Sequence, residues 1–242
     1  FLCGVLLAGM ALALAWPNLP DLNAMTDYRP RVPLRVYTAD RVLIGEFGEE
    51  RRNVLRFNEI PDVMKSAVLA AEDDRFYQHG GIDWMGVARA GLTNLINMSK
   101  TQGASTITMQ VARNFYLSSE KTYSRKFYEL LLTFKIESEL TKDQILELYM
   151  NQIYLGHRAY GFAAASRTYF GKPLSEVTPA EAAMLAGIPK APSRFNPISN
   201  RPRAELRQRY VLGRMQSLGY LTEPEYKQAM AQQIVMKSAE GT

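Results

Sequence analysis

Helix-start signals recur along the chain from Pro61 onward, and they restrict the fold more than any other feature of the sequence. Three threonines are each followed three positions later by Gln or Glu, which is the capping-box pattern of a helix N-terminus. These pairs are Thr141 with Gln144, Thr178 with Glu181, and Thr222 with Glu225. Together with the spacing of apolar residues, they predict helices near 61–76, 83–98, 105–115, 124–140, 142–152, 159–169, 179–187, 201–218 and 223–232. We therefore expect a mainly α fold.

The N-terminal segment has the character of a membrane segment. Residues 1–16 carry no charge and are almost wholly apolar. Crossing a bilayer takes about 20 apolar residues, so we interpret 1–16 as the outer part of a truncated transmembrane helix. The alternative is a secretory signal peptide, because Ala13-Leu14-Ala15 has the small-x-small form of a cleavage site. Either interpretation delivers the rest of the chain across the membrane.

The charge balance leaves several classes of partner open. A formal net charge of +5 suits nucleic acid, an anionic membrane surface or a phosphorylated substrate. The single cysteine, Cys3, excludes a disulfide within the chain. The two histidines, His79 and His157, are far apart in sequence, which argues against a zinc site.

Two segments differ from the regular helical pattern. Residues 17–58 are rich in β-formers and turn residues, so we expect a juxtamembrane connector with one or two short strands. The stretch 82–98 has only two charges, Asp83 near its start and Arg89, and its apolar residues lie on more than one face. This second pattern predicts either burial in the core or contact with a membrane surface.

An acidic cluster ends the first predicted helix. Glu72, Asp73 and Asp74 follow one another there. Carboxylates near a helix C-terminus face the negative end of the helix dipole, which costs a few tenths of a kcal/mol to about 1 kcal/mol. The cluster is therefore a solvated face, or else it is neutralised by nearby cations or used in function.

A segment rich in Ser and Thr precedes the helix predicted at 105–115. Ser105 or Thr106 can cap this helix, and its free N–H groups favour anions. Gln110 and Arg113 are three residues apart and can share a face. A plain helix cap is the alternative interpretation.

Basic residues surround a single acid further along. Lys121, Arg125 and Lys126 precede Glu129, and Arg125 and Glu129 have i, i+4 spacing. One interpretation is a surface ion pair, which stabilises little. The other is a pyrophosphate site in which Arg113 joins these cations and Glu129 stays ionised among them.

In this order and spacing, the segments resemble the motifs of glycosyltransferase family 51, the peptidoglycan glycosyltransferase domain of class A penicillin-binding proteins and monofunctional transglycosylases. The resemblance covers about residues 55 to 190 and rests on AAEDDRFYQHGGID (70–83), QGASTITMQVARN (102–114), KTYSRKFYE (121–129) and the region 142–172. Met109-Gln110 replaces the family's common pair of glutamines. This departure is similar to the bifunctional subgroup, although no Ser-x-x-Lys element with its partner motifs follows.

The resemblance implies a lysozyme-like, two-lobed helical domain at 59–195 with a cleft between its lobes. It places 82–98 in the smaller, membrane-proximal lobe and makes 196–242 a pair of helices and a linker toward a transpeptidase domain. It also implies a single-pass protein of the cytoplasmic (inner) membrane, with its catalytic domain on the periplasmic side.

The implied reaction is the inverting polymerisation of lipid II into glycan strands, with release of undecaprenyl pyrophosphate. Glu72 corresponds to the base that takes the proton from the acceptor's 4-hydroxyl, and Glu129 corresponds to the second essential carboxylate. These two should line one cleft without touching. The residues implied in substrate and pyrophosphate binding are Ser105, Thr106, Gln110, Arg113, Lys121, Arg125 and Lys126, with Asp73 and Asn151 supporting the cleft.

The resemblance implies no organic cofactor. It allows a divalent cation, Mg²⁺ or Mn²⁺, between the pyrophosphate and Glu129, although no cluster in the sequence makes a stand-alone metal site. The implied partners are lipid II, the growing glycan strand, membrane lipids, other cell-wall synthesis proteins and moenomycin-type inhibitors, but not nucleic acid. Two alternatives remain: a lysozyme-like peptidoglycan hydrolase or lytic transglycosylase, and a non-catalytic, membrane-tethered cell-wall binding module.

Overall fold

A computed structural model of the protein describes residues 16–19, 22, 34–40, 43–47, 51–96, 105–116 and 123–237. The described chain is mainly helical, which confirms the expected mainly α fold. Its α-helices are α1 (Asp62–Glu72), α2 (Trp84–Ile96), α3 (Ile107–Tyr116), α4 (Tyr123–Glu139), α5 (Lys142–Gln152), α6 (Phe162–Tyr169), α7 (Pro179–Gly187), α8 (Arg201–Ser217) and α9 (Glu223–Ala231). Its strands are β1 (Leu34–Tyr37), β2 (Leu43–Phe47), β3 (Arg51–Arg52) and β4 (Ala159–Tyr160).

The predicted capping boxes begin α5, α7 and α9. At α7, the Thr178 hydroxyl accepts a hydrogen bond from the Glu181 N–H at 3.3 Å, and Glu181 Oε2 accepts one from the Thr178 N–H at 2.8 Å. The same reciprocal pair occurs at Thr141 and at Thr222. These three helix starts are therefore confirmed, because each side chain satisfies a backbone N–H that the helix leaves unpaired.

The first helix is shorter than predicted. The pattern indicated a helix near 61–76, whereas α1 ends at Glu72. Asp73 leaves the helical conformation, with φ −161° and ψ 82°, and a 3₁₀ turn follows at Phe76–Gln78. Apolar spacing did not show this end, because the fully buried Phe76 continues the apolar pattern beyond it.

The helix predicted near 159–169 begins only at Phe162, because the two residues at its expected start form β4. Gly161 separates the strand from the helix and has a φ of 80°. A Cβ at this position would lie 2.6 Å from the carbonyl oxygen of Asn151. A left-handed glycine at a point of close backbone approach therefore sets the start of α6.

The chain divides into two compact units. The first unit comprises residues 1–28 and 79–145, and the second unit comprises residues 29–78 and 146–242. In the first unit α3 packs against α4. The buried apolar side chains of these two helices include Ile107, Val111, Leu132 and Ile136.

In the second unit, α7 packs against both α1 and α8, and α8 packs against α1. Small residues on α7 permit this close packing, because Ala180, Ala183 and Ala186 are all fully buried. The connector contains the antiparallel hairpin of β1 and β2, and β3 pairs in parallel with β4. The short strands predicted for the connector are thus confirmed.

Within the described ranges, no helix is both long enough and apolar enough to cross a bilayer. The predicted transmembrane segment falls on residues 1–15, which lie outside the described residues, and on Trp16, which begins a 3₁₀ turn. At the start of α2, Trp84 and Met85 are 69% and 67% exposed. The core does not cover this first turn, and membrane contact of the 82–98 segment stays a prediction.

Asn151 ties the end of the connector to α5. Its Nδ2 donates to the Leu55 carbonyl at 2.7 Å, and its Oδ1 accepts from the Leu55 N–H at 2.9 Å. Glu147, one turn earlier on α5, accepts from the Phe57 N–H at 2.6 Å. The amide of Asn151 therefore acts as a neighbouring strand would, since it satisfies both backbone groups of Leu55.

We expect Asn151→Leu to destabilise the protein by about 1–3 kcal/mol, because the variant leaves the backbone groups of Leu55 without these partners. Chemical unfolding followed by circular dichroism measures the loss. Asn53→Leu, at an exposed position of the same connector, is the control and should change stability by less than about 0.5 kcal/mol. Equal stability of the two variants would show that this pair of hydrogen bonds does not hold the connector.

Candidate active site

The first unit contains a buried carboxylate held by two cations. The side chain of Glu129 on α4 is 0% exposed. Arg113, in the last turn of α3, donates from Nε to Oε2 and from Nη2 to Oε1, both at 3.2 Å. Lys126, one turn before Glu129 on α4, also donates to Oε1. The packing of α3 on α4 therefore produces a bidentate Arg–carboxylate pair with a second cation beside it.

The charge of Glu129 is stabilised by these partners. Burial by itself raises the pKa of the Glu129 carboxyl, but hydrogen bonds and charges from Arg113 and Lys126 outweigh burial and hold that pKa below its ordinary value. The side chains of Arg113 and Lys126 remain 38% and 47% exposed. This group of residues can therefore accept a further anion from solvent.

Other residues predicted to bind pyrophosphate lie in the same unit. Arg125, next to Lys126 on α4, is half-buried, and so are Ser105, just before α3, and Gln110 on α3. Lys121 lies outside the described residues.

The buried position of Thr106 is explained by two local hydrogen bonds of its hydroxyl. It is 2% exposed; its hydroxyl donates to the Gly81 carbonyl at 2.6 Å and accepts from the Met109 N–H at 3.2 Å. The predicted helix cap at this position is confirmed. Direct contact of Thr106 with substrate stays a prediction.

The acidic cluster lies at the C-terminal end of α1, in the second unit. Glu72 is half-buried, with its Oε1 atom shielded from solvent, and Asp73 is 7% exposed. Asp74 accepts a hydrogen bond from Arg214 on α8 at 2.7 Å. A cation thus neutralises part of the cluster, as one of the two interpretations of the sequence predicted.

Two residues beside Glu72 were missed by the sequence analysis. Tyr149 on α5 is fully buried; burial raises the pKa of its hydroxyl well above the ordinary value, and the charges of Glu72 and Asp73 raise it further. Partial burial lowers the pKa of Lys190, as do Arg207 and Arg194, whereas Glu72 opposes this shift. For Lys190, the only signal in the sequence was its position between two prolines shortly after α7.

The candidate residues are distributed over both units. Glu72, Asp73 and Asn151 belong to the second unit, and the group around Glu129 belongs to the first. A common cleft for Glu72 and Glu129 stays a prediction.

The described residues do not form a stand-alone metal site. No group of three or more His, Cys, Asp or Glu side chains in the described parts of the chain is arranged to hold a metal ion. Both carboxylate oxygens of Glu129 already accept hydrogen bonds from cations. A divalent ion would meet positive charge at this position unless an anionic ligand came with it.

Comparison with known proteins identifies the family to which the chain belongs. Residues 40–216 match the transglycosylase family. The chain belongs to this family, glycosyltransferase family 51, and is homologous to the N-terminal region of penicillin-binding protein 1A. The resemblance predicted from the motifs is therefore confirmed.

Individual relatives agree with this assignment. Penicillin-binding protein 1A of Neisseria gonorrhoeae is 53% identical over 231 residues, which are 96% of this chain and 29% of that protein. A putative transglycosylase of Cupriavidus necator is 53% identical over 234 residues, which are 97% of this chain and 92% of that protein. The crystal structure of penicillin-binding protein 1A from Haemophilus influenzae has a similar fold, with a TM-score of 0.52 and 31% identity over 88% of this chain and 22% of that chain. The chain thus spans less than a third of the penicillin-binding proteins that it matches.

We expect the ion pair of Glu129 to make stability depend on pH. Because the folded-state pKa of this carboxyl lies below the unfolded one, its contribution is present above the unfolded pKa and is lost as pH falls through the folded pKa. Arg113→Met should cost about 1–3 kcal/mol at neutral pH, less than for a fully buried pair because Arg113 is partly exposed.

Thermal unfolding of wild type and Arg113→Met between pH 7 and pH 3 measures this effect. The two unfolding temperatures should converge on acidification. Arg203→Met, at an exposed position of α8, serves as the control and should follow the wild type. A gap between Arg113→Met and wild type that stays constant with pH would contradict the assigned charge interaction.

Proposed function

We propose that this chain polymerises lipid II, a disaccharide linked to a polyprenyl pyrophosphate, into glycan strands on the outer face of the cytoplasmic membrane. The observation that carries the proposal is the buried Glu129 held by Arg113 and Lys126, whose cationic groups remain partly exposed. Membership of the transglycosylase family supports a glycan substrate. The anchoring segment at 1–16 belongs to the same proposal.

Glu72 is the proposed general base. The acceptor's 4-hydroxyl oxygen attacks the anomeric carbon of the donor sugar, and Glu72 takes the hydroxyl proton. The new C–O bond forms as the bond from the anomeric carbon to pyrophosphate breaks, so configuration inverts. The half-buried position of Glu72, beside Lys190, suits a carboxylate that must be ionised before each transfer.

The cations around Glu129 are the proposed site for the leaving group. Negative charge grows on the pyrophosphate as its bond to the sugar breaks, and preorganised cations stabilise such charge. Arg113 and Lys126 are fixed by Glu129, so they require little rearrangement during the reaction. Arg125, Ser105, Gln110 and Lys121 would complete the site, while Asp73 and Asn151 support the elements around Glu72. No step of this mechanism passes through a metal ion.

The cation group also distinguishes the proposal from its alternatives. A peptidoglycan hydrolase or lytic transglycosylase also needs a glutamate in a sugar-binding site, but its substrate lacks a pyrophosphate. Such an enzyme has no use for two partly exposed cations fixed around a buried carboxylate. A non-catalytic binding module would not need Glu72 at all.

We expect Glu72→Gln to reduce polymerisation of lipid II by about 10² to 10⁴-fold, because the amide cannot accept the acceptor's proton. Gel analysis of glycan chains made from labelled lipid II measures the loss. The control is Glu176→Gln, which removes an exposed carboxylate from the same unit. A folded Glu72→Gln protein that polymerised normally would eliminate Glu72 as the base.

We expect Arg125→Met and Lys126→Met to lower turnover by about 10²-fold each, since each removes a positive charge from the leaving-group site. Lys227→Met, whose lysine is 72% exposed on α9, should leave turnover unchanged. Rates are measured with lipid II at low and at saturating concentration. Undiminished rates at both concentrations would remove these residues from the site.

A further inference from the structure

Two arginines of α8 contact the end of α1 that carries Glu72. Arg207 Nη2 donates to the carbonyl oxygen of Ala71 at 3.3 Å, and Arg214 Nη2 contacts Asp74 Oδ2 at 2.7 Å. The two arginines are seven residues apart, so they lie on one face of the helix. They hold the chain directly before Glu72 and two residues after it.

The Ala71 carbonyl is one of the last four of α1, which have no partner within the helix. A cation at this end also opposes the negative end of the helix dipole, which would otherwise disfavour an ionised carboxylate on Glu72. Arg207 therefore supplies both a hydrogen-bond donor and a positive charge where α1 needs them.

Packing fixes the position of the Arg207 side chain. Arg207 is 8% exposed, and a Cβ at Gly187 of α7 would lie 2.8 Å from its Cγ. Its guanidinium carbon lies 4.5 Å from the ring centroid of Tyr210 on the next turn of α8, within cation–π distance. The stem and head of this side chain are thus held independently of any substrate.

Packing alone does not require a charged side chain at position 207. Burying a guanidinium costs free energy that a long apolar side chain would not incur. The charge of Arg207 also acts on a neighbouring lysine. Arg207 lowers the pKa of Lys190, whereas Glu72 raises it. Arg207 and Glu72 therefore act on the same small region of the second unit.

We propose that Arg207 is a positioning residue, which holds the Ala71 carbonyl in the last turn of α1 and keeps the Glu72 carboxylate aligned and ionised for proton transfer. This inference rests on the proposed function of Glu72. Because Arg207 acts through Glu72, its loss should slow the chemical step and leave substrate affinity unchanged.

The test compares Arg207→Met, which keeps the length of the stem, with Arg207→Lys, which keeps the charge and a donor. We expect Arg207→Met to lower kcat about 10- to 100-fold, as misplaced catalytic groups do, with KM for lipid II unchanged. Arg207→Lys should recover most of the loss. Arg209→Met, on an exposed face of the same helix, should match the wild type.

All rates are referred to the folded fraction measured by circular dichroism, and Arg207→Gln replaces the Met variant if the latter does not fold. Wild-type kcat in the folded Met or Gln variant would overturn the inference, and so would a raised KM with unchanged kcat. A loss of kcat that Arg207→Lys does not restore would show that Arg207 has only a structural role. Glu72→Gln is assayed in parallel: normal activity of that variant defeats the proposed function, whereas its inactivity beside normal Arg207 variants defeats only this inference.

Discussion

The charge of Glu129 is buried, and a buried carboxylate is stable only when hydrogen bonds and opposite charges replace the water it has lost. Arg113 provides a two-point contact from α3, and Lys126 provides a second cation from α4. The packing of α3 on α4 and the ionisation of Glu129 are therefore mutually dependent. One interaction stabilises the first unit and also leaves two cationic side chains partly exposed.

The second unit meets a similar requirement at the end of α1. There the acidic cluster lies against the negative end of a helix dipole, and α8 supplies the compensating arginines. The close approach of α8 depends on small residues in α7, since a side chain at Gly187 would collide with Arg207. Packing between the helices thus determines which cations reach the C-terminal end of α1.

Local sequence chemistry predicted much of the fold. The capping boxes at Thr141, Thr178 and Thr222 were confirmed because the two hydrogen bonds of each box form between residues three apart. Helix boundaries without a capping box were less predictable. The structure ends α1 at Glu72, and it begins α6 after Gly161, where the backbone lies close to the carbonyl oxygen of Asn151.

The sequence by itself determined the helical class, the three helix starts with capping boxes, the family and the identity of the candidate acidic and basic residues, because each of these depends on short segments of neighbouring residues. The tertiary structure alone decided that Arg113 reaches Glu129 from 16 residues away and that Arg207 reaches Ala71 from 136 residues away. It also gave Asn151 its contact with Leu55 across 96 residues. Such contacts depend on how helices pack, and packing is a property of whole faces and volumes that no local pattern of residues contains.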